Sequence, residues 1–276
     1  MEIRNTSIYG GIAPPARSEP MYEYLWRDAA ILLGTMHVMA PMAVRSGFRF
    51  AAHCKPVQVP AEELPRGVSV YIQSRIPQMQ SLGFEFLGCY DCGVLASNTQ
   101  SLIAYFCNRT TNDFANITVA TSPQRTVGFF EFSTCFGNGR ALETNTNSVL
   151  PLTPDNPDVR VFRFPEIKEP RELYQVHKSL TEKYANGQWA QGEPKGQEIQ
   201  RLVRVLENYG PRHAKVGYMY PAPDGETYLL TWKGAILMTW RGLWPTALIR
   251  RAIHKYEMRA ELQSLHVRGV PALQKA

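Results

Sequence analysis

Phe84 to Asn145 reads FEFLGCYDCGVLASNTQSLIAYFCNRTTNDFANITVATSPQRTVGFFEFSTCFGNGRALETN, and its texture decides the fold. Aromatic and β-branched residues dominate in runs of six to twelve residues, each run but the last ending in a cluster of turn formers. Strands are expected over 84–95, 102–108, 114–121, 126–136 and 140–145. The separators Ser97-Asn98-Thr99-Gln100, Thr110-Thr111-Asn112-Asp113, Ser122-Pro123-Gln124 and Gly137-Asn138-Gly139 are all short. A parallel pair needs a crossover of roughly a dozen residues or more, so consecutive strands here must pair as hairpins. The expectation is an antiparallel five-stranded meander.

Around it the periodicity turns helical. Val68, Ile72, Ile76, Met79 and Leu82 recur at helical spacing, with Pro77 marking a break and Gly83 a stop. Beyond the meander, residues 146–170 carry five prolines and one short strand, Val159 to Phe164. Pro170 then opens a helix with Leu173, Val176, Leu180 and Tyr184 on one face. A second helix over Gln197 to Tyr209 is expected to end at Gly210-Pro211. Tyr218–Tyr220 and Thr227–Leu230 flank Pro223-Asp224-Gly225, a hairpin signal. The fold class is therefore α+β, with helices on one face of the sheet. Pro56 to Pro65 reads as an extended linker.

The two ends differ from this body. Residues 1–28 read as a flexible arm, and 29–55 as an apolar membrane-interacting or docking segment. Ala29 to Val44 (AAILLGTMHVMAPMAV) has no formal charge but is short of the roughly 20 residues of a span. An interfacial helix, a short spanning helix and a buried core helix all fit it; if it spans, Arg45, Arg49 and Lys55 put the bulk of the chain on the cytoplasmic side. Residues 66–230 form the α+β domain, and 231–276 a basic amphipathic C-terminal helical segment.

Of the 276 residues, 44% are hydrophobic and 20% charged, the balance of a chain that folds. The formal net charge is +6, and the whole of it lies beyond Leu230. That segment also places Trp232, Trp240 and Trp244 beside Lys233 and Arg241, followed by Arg250, Arg251 and Lys255. Amphipathic rings and long cations are satisfied together in the headgroup layer, so these eight residues are the expected membrane-binding set. Ile249, Ala252, Ile253, Tyr256 and Ala260 share one face of the last helix.

Other chemistry is sparse. Cys89 and Cys92 form a CxxC, but no second pair follows, and strand residues three apart point to opposite faces. They are weak metal candidates, and no cofactor is expected. Five cysteines and no signal-peptide pattern indicate a reducing compartment. The six histidines lie in no catalytic signature, and His177 reads as a half-exposed helix residue. Glu131, Ser133, Glu143 and Asn145 fall on adjacent expected strands and could line a polar pocket.

The expected function is that of a bacterial-type, membrane-associated accessory or binding protein on the cytoplasmic face, with an anionic membrane surface as partner and a membrane-protein complex as a second candidate partner. An enzyme acting on a polar or lipid-like substrate through Glu131 and Glu143 is one alternative. A nucleic-acid binder using the basic C-terminal helix is the other, disfavoured by the tryptophans.

Overall fold

A computed structural model describes residues 21–96, 99–154 and 156–265. Residues 1–20, most of the expected arm, lie outside the described residues, as do Ser97, Asn98, Arg268 and Lys275. The chain divides into two compact units between Ala40 and Pro41. That point lies inside the first helix, α1 (Met21–Gly47), where Pro41 removes one intrahelical hydrogen bond.

The protein is a mixed α+β structure built on a large, mostly antiparallel sheet. The five expected strands are present as β3 (Glu85–Ala96), β4 (Thr99–Asn108), β5 (Asp113–Ser122), β6 (Arg125–Cys135) and β7 (Ala141–Asn145), each paired antiparallel with the next. The sheet, however, has ten strands, not five. On one side β8 (Val159–Arg163) adds parallel to β7, its chain having crossed over through the proline-rich stretch. On the other side β1 (Arg49–Ala51) bridges β3 to the hairpin of β9 (Met219–Pro221) and β10 (Thr227–Leu230). β2 (Val57–Val59) also pairs with β3, inside the expected linker. Three-residue strands lack the length to show alternation, so the sequence carried no sign of β1 and β2.

A second correction concerns the helices, which cover both faces. β4 is buried over eight consecutive residues, Ser101 to Asn108. Leu102, Ala104 and Phe106 enter one core with Ile72 and Met79 of α2 (Arg66–Gln73) and α3 (Ile76–Ser81), and with Leu173, Val176 and Leu180 of α4 (Pro170–Tyr184). Ile103, Tyr105 and Cys107 enter another with Leu202 of α5 (Glu198–Glu207). A strand covered on both faces reads as a continuous apolar run, and SLIAYFC is one. The expected second helix ends at Glu207, and Gly210-Pro211 fall inside a further short helix, α6 (Tyr209–Lys215). Pro211 sits in its first turn, where the missing N–H has no intrahelical acceptor.

The C-terminal segment is two helices, α7 (Trp232–Gly242) and α8 (Thr246–Ser264). Thr231 caps α7 by accepting from the Gly234 amide at 3.1 Å. Gly234 lies so close to strand β9 that a Cβ there would stand 2.1 Å from the Tyr218 carbonyl oxygen. Met219, Leu230, Ala235 and Met238 make a third, smaller core beneath α7. α8 returns to the first core through Leu262, and Lys183 of α4 holds Glu261 at 2.7 Å.

Candidate functional site

Three places carry chemistry. The first is the surface of α7 and α8. Of the eight expected membrane-binding residues, Trp232, Trp240 and Trp244 keep 49%, 52% and 58% of their surface exposed. Leu248, Ile249, Ile253 and Tyr256 are exposed beside them, so the expected apolar face of α8, Ile249 to Tyr256, is turned to solvent. The reason is geometric: α8 is pinned through Met258, Leu262 and Leu265, which fall on the opposite side of the helix. Arg251 and Lys255 are exposed along its flank. The other three cations are used internally. Arg241 donates to the Thr153 carbonyl at 2.6 Å, Arg250 to the Pro151 carbonyl at 3.0 Å, and Lys233 to the Val216 carbonyl at 2.9 Å. They clamp loops to α7 and α8, a role that spacing alone could not reveal.

α1 contributes a further apolar surface. Asp28–Gly47 is the one described helix long and apolar enough to cross a membrane, with a mean hydropathy of 1.2; a signal sequence or core helix can have the same length and composition. Its residues Ile31, Leu32, Val38 and Met39 are exposed, and His37 meets the Leu33 carbonyl one turn back at 2.7 Å.

The second place is the polar cluster on the sheet face under α5. Register sets Glu131 opposite Asn145 and Ser133 opposite Glu143, so the four expected pocket residues share one face. Asn116 and Asn145 donate to the two oxygens of Glu131 at 3.0 and 3.1 Å. No hydrogen bond reaches the Glu143 carboxyl among the described residues. Both carboxyls lie deep under the surrounding protein while keeping part of their surface open. Burial pushes both upward, and Glu143 reaches about 8 through burial and the neighbouring Glu131. The amides that hold Glu131 leave Glu143 as the member that keeps its proton.

Sequence reading missed Arg201 and Arg163 in this cluster. Arg201 is 7% exposed and donates to Tyr105 Oη at 3.0 Å, Ser133 Oγ at 3.3 Å and Cys135 Sγ at 3.0 Å, with its guanidinium 3.8 Å over the Phe114 ring. The signal was there: Arg201 falls on the buried stripe of α5 beside Leu202. A charge on a buried stripe must find polar partners across the interface. Arg163, at the end of β8, acts on both carboxyls through its charge.

The third place is a buried polar chain on the opposite sheet face. His177 is fully buried, not half exposed, because α4 lies flat against β6 and β7. Its Nε2 meets Thr134 Oγ1 at 2.9 Å and its Nδ1 meets Thr144 Oγ1 at 3.0 Å. Thr134 and Tyr174 donate to Asp113 at 2.5 and 2.8 Å. Burial lowers the His177 pKa to about 4, so the ring is neutral. With His177, Asp113, Thr134 and Thr144 all buried, this network holds α4 to the sheet.

Cys89 and Cys92 point into different cores, and Cys92 shares its core with Cys54. Burial pushes the Cys89 thiol to about 11. Among the described residues no three His, Cys, Asp or Glu side chains converge as metal ligands. Comparison with protein families, curated proteins and solved structures found no match for this chain.

Proposed function

We propose that this protein is a membrane-associated binding protein that lies on an anionic membrane surface through α7 and the outer face of α8, with its sheet domain on the cytoplasmic side. The observation that carries this reading is the run of half-exposed apolar side chains from Trp232 through Trp240, Trp244, Ile249 and Ile253 to Tyr256. Such a surface is costly in water, and aromatic rings rimmed by arginine and lysine match the headgroup layer. Each base near an anionic leaflet contributes about 1 kcal/mol. α1 supplies a second apolar contact on the same chain. The nucleic-acid reading is weakened because Arg241 and Arg250 are spent on main-chain carbonyls.

Vesicle pelleting of the full chain tests it. The native protein should pellet with vesicles containing phosphatidylglycerol and remain bound in high salt, and a Trp240→Ala/Trp244→Ala double variant of native stability should bind at least about tenfold more weakly, a loss of about 1.4 kcal/mol. Equal pelleting of the two proteins would remove α7 and α8 from the contact.

A second reading is favoured by one observation. Glu143, protonated near neutrality and partly open, stands next to Glu131 as a hydrogen-bond donor beside an acceptor, an arrangement suited to proton transfer on a polar or lipid-like substrate. Thermal-shift screening of small polar compounds tests this: a ligand of that site stabilises the native chain and not the Glu143→Gln or Glu131→Gln variants.

A further inference from the structure

A cavity of about 430 Å³ lies between α8 and the segments that flank β8. Four cations line it: Arg163 from β8, and Arg251, Lys255 and Arg259 from α8. Among the lining residues Glu166 is the one carboxylate. None of the four cations makes an ion pair with an acidic side chain among the described residues, whereas Arg109, Lys178, Lys183 and Arg204 each do. The arrangement follows from the helix period. Positions 251, 255 and 259 are one turn apart and form a single stripe, set between the pinned side of α8 and its exposed apolar side. Arg163 lines the cavity from the sheet edge, where its charge also acts on Glu131 and Glu143.

Beneath the charges the cavity is apolar. Phe164 and Leu262, both buried, form its floor with Leu150 and Met258 beside them. The volume lies within the range of small-ligand pockets, roughly 300 to 1,000 Å³. A group that fits must therefore present several anionic oxygens at one end and hydrocarbon at the other. A carboxylate is saturated by one or two cationic partners, whereas a phosphate offers more oxygens to a ring of guanidinium and ammonium groups. A nucleotide would leave the apolar floor facing a polar sugar.

We propose that this cavity binds the head and the first methylenes of one phosphate-headed anionic lipid, held by Arg163, Arg251, Lys255 and Arg259 over the floor of Phe164 and Leu262. The proposal deepens the membrane reading and rests on it for the source of the ligand. It makes α8 bifunctional: its outer apolar face, Ile249, Ile253 and Tyr256, enters the bilayer surface, and its cationic flank draws one lipid head sideways into the protein. Phosphate alone offers the same oxygens, so the lipid must be distinguished from the free ion.

The test uses the full chain and calorimetric titration with dihexanoyl phosphatidylglycerol below its micellar concentration. Dihexanoyl phosphatidylcholine and inorganic phosphate serve as comparisons. The proposal expects one anionic lipid per chain, with phosphatidylcholine and inorganic phosphate each at least about tenfold weaker. Lys255→Glu/Arg259→Glu exchanges two exposed side chains, so the variant should keep native stability, and it should lose lipid affinity about tenfold or more, a tenfold change being about 1.4 kcal/mol. The Trp240→Ala/Trp244→Ala variant should keep the dissolved-lipid affinity while losing vesicle binding. Native protein that pellets with vesicles but binds no dissolved lipid would overturn the cavity and leave surface docking standing. Dissolved-lipid binding without vesicle binding would support the cavity and overturn surface docking. Equal affinity for phosphate and lipid, or affinity unchanged in Lys255→Glu/Arg259→Glu, would likewise sink the lipid site.

Discussion

At the scale of single residues, the two sheet faces hold opposite solutions to buried polarity. His177 is neutral and saturated by two threonine hydroxyls, and its depressed pKa has a definite sign. In the unfolded chain the ring takes a proton near pH 6.5, in the folded chain only near 4. Its contribution is therefore intact above pH 6.5 and is lost as pH falls towards 4, by about 3 kcal/mol in all. Urea unfolding of His177→Gln across this window should show a shallower loss than the native chain. Glu143 runs the other way. Its folded pKa of about 8 exceeds the usual 4.5, so stability falls as pH rises between those values. Glu143→Gln should gain on the native protein by roughly 5 °C in Tm between pH 5 and 8.5. Parallel melting curves at both pH values would contradict a raised carboxyl.

At the scale of elements, α7 depends on one close approach. The Cβ of a Gly234→Ala variant would meet the Tyr218 carbonyl oxygen at 2.1 Å, and since that atom is backbone, helix or strand must shift. We expect a cost of about 2–4 kcal/mol in urea unfolding, with the tryptophan signal changing early because two of the four exposed tryptophans among the described residues lie on α7. A variant as stable as the native chain would mean that α7 is not held against β9. Pro170, Pro77, Gly83 and the Asp224-Gly225 turn act where their chemistry places them, at helix starts, a helix end and a hairpin. The helix expected to end at Gly210-Pro211 ends at Glu207, and the proline falls in the first turn of α6.

At the scale of the whole molecule, charge and apolar surface are segregated. The α+β body is neutral, and the positive charge gathers on the segment whose tryptophans remain exposed. Anionic vesicles should shift the tryptophan emission of the native chain to shorter wavelength, and phosphatidylcholine vesicles should do so less. An emission spectrum indifferent to vesicles would argue that the exposed rings meet a protein partner instead.

What the sequence by itself determined is local. The five long strands, the antiparallel order of the meander, the breaks at Pro77 and Pro170 and the shared face of Glu131, Ser133, Glu143 and Asn145 follow from alternation, turn chemistry and the period of two. The tertiary structure decided everything that depends on distance along the chain. Residues 49–51, 57–59 and 219–230 complete the sheet only because they meet β3 or each other in space. Arg241 and Arg250 became clamps, and the apolar side of α8 became the outer one, because Met258 and Leu262 pack into the core. A helix with two apolar stripes does not state which it will bury. Packing against α4 and β8 makes that choice, and with it creates the cationic cavity.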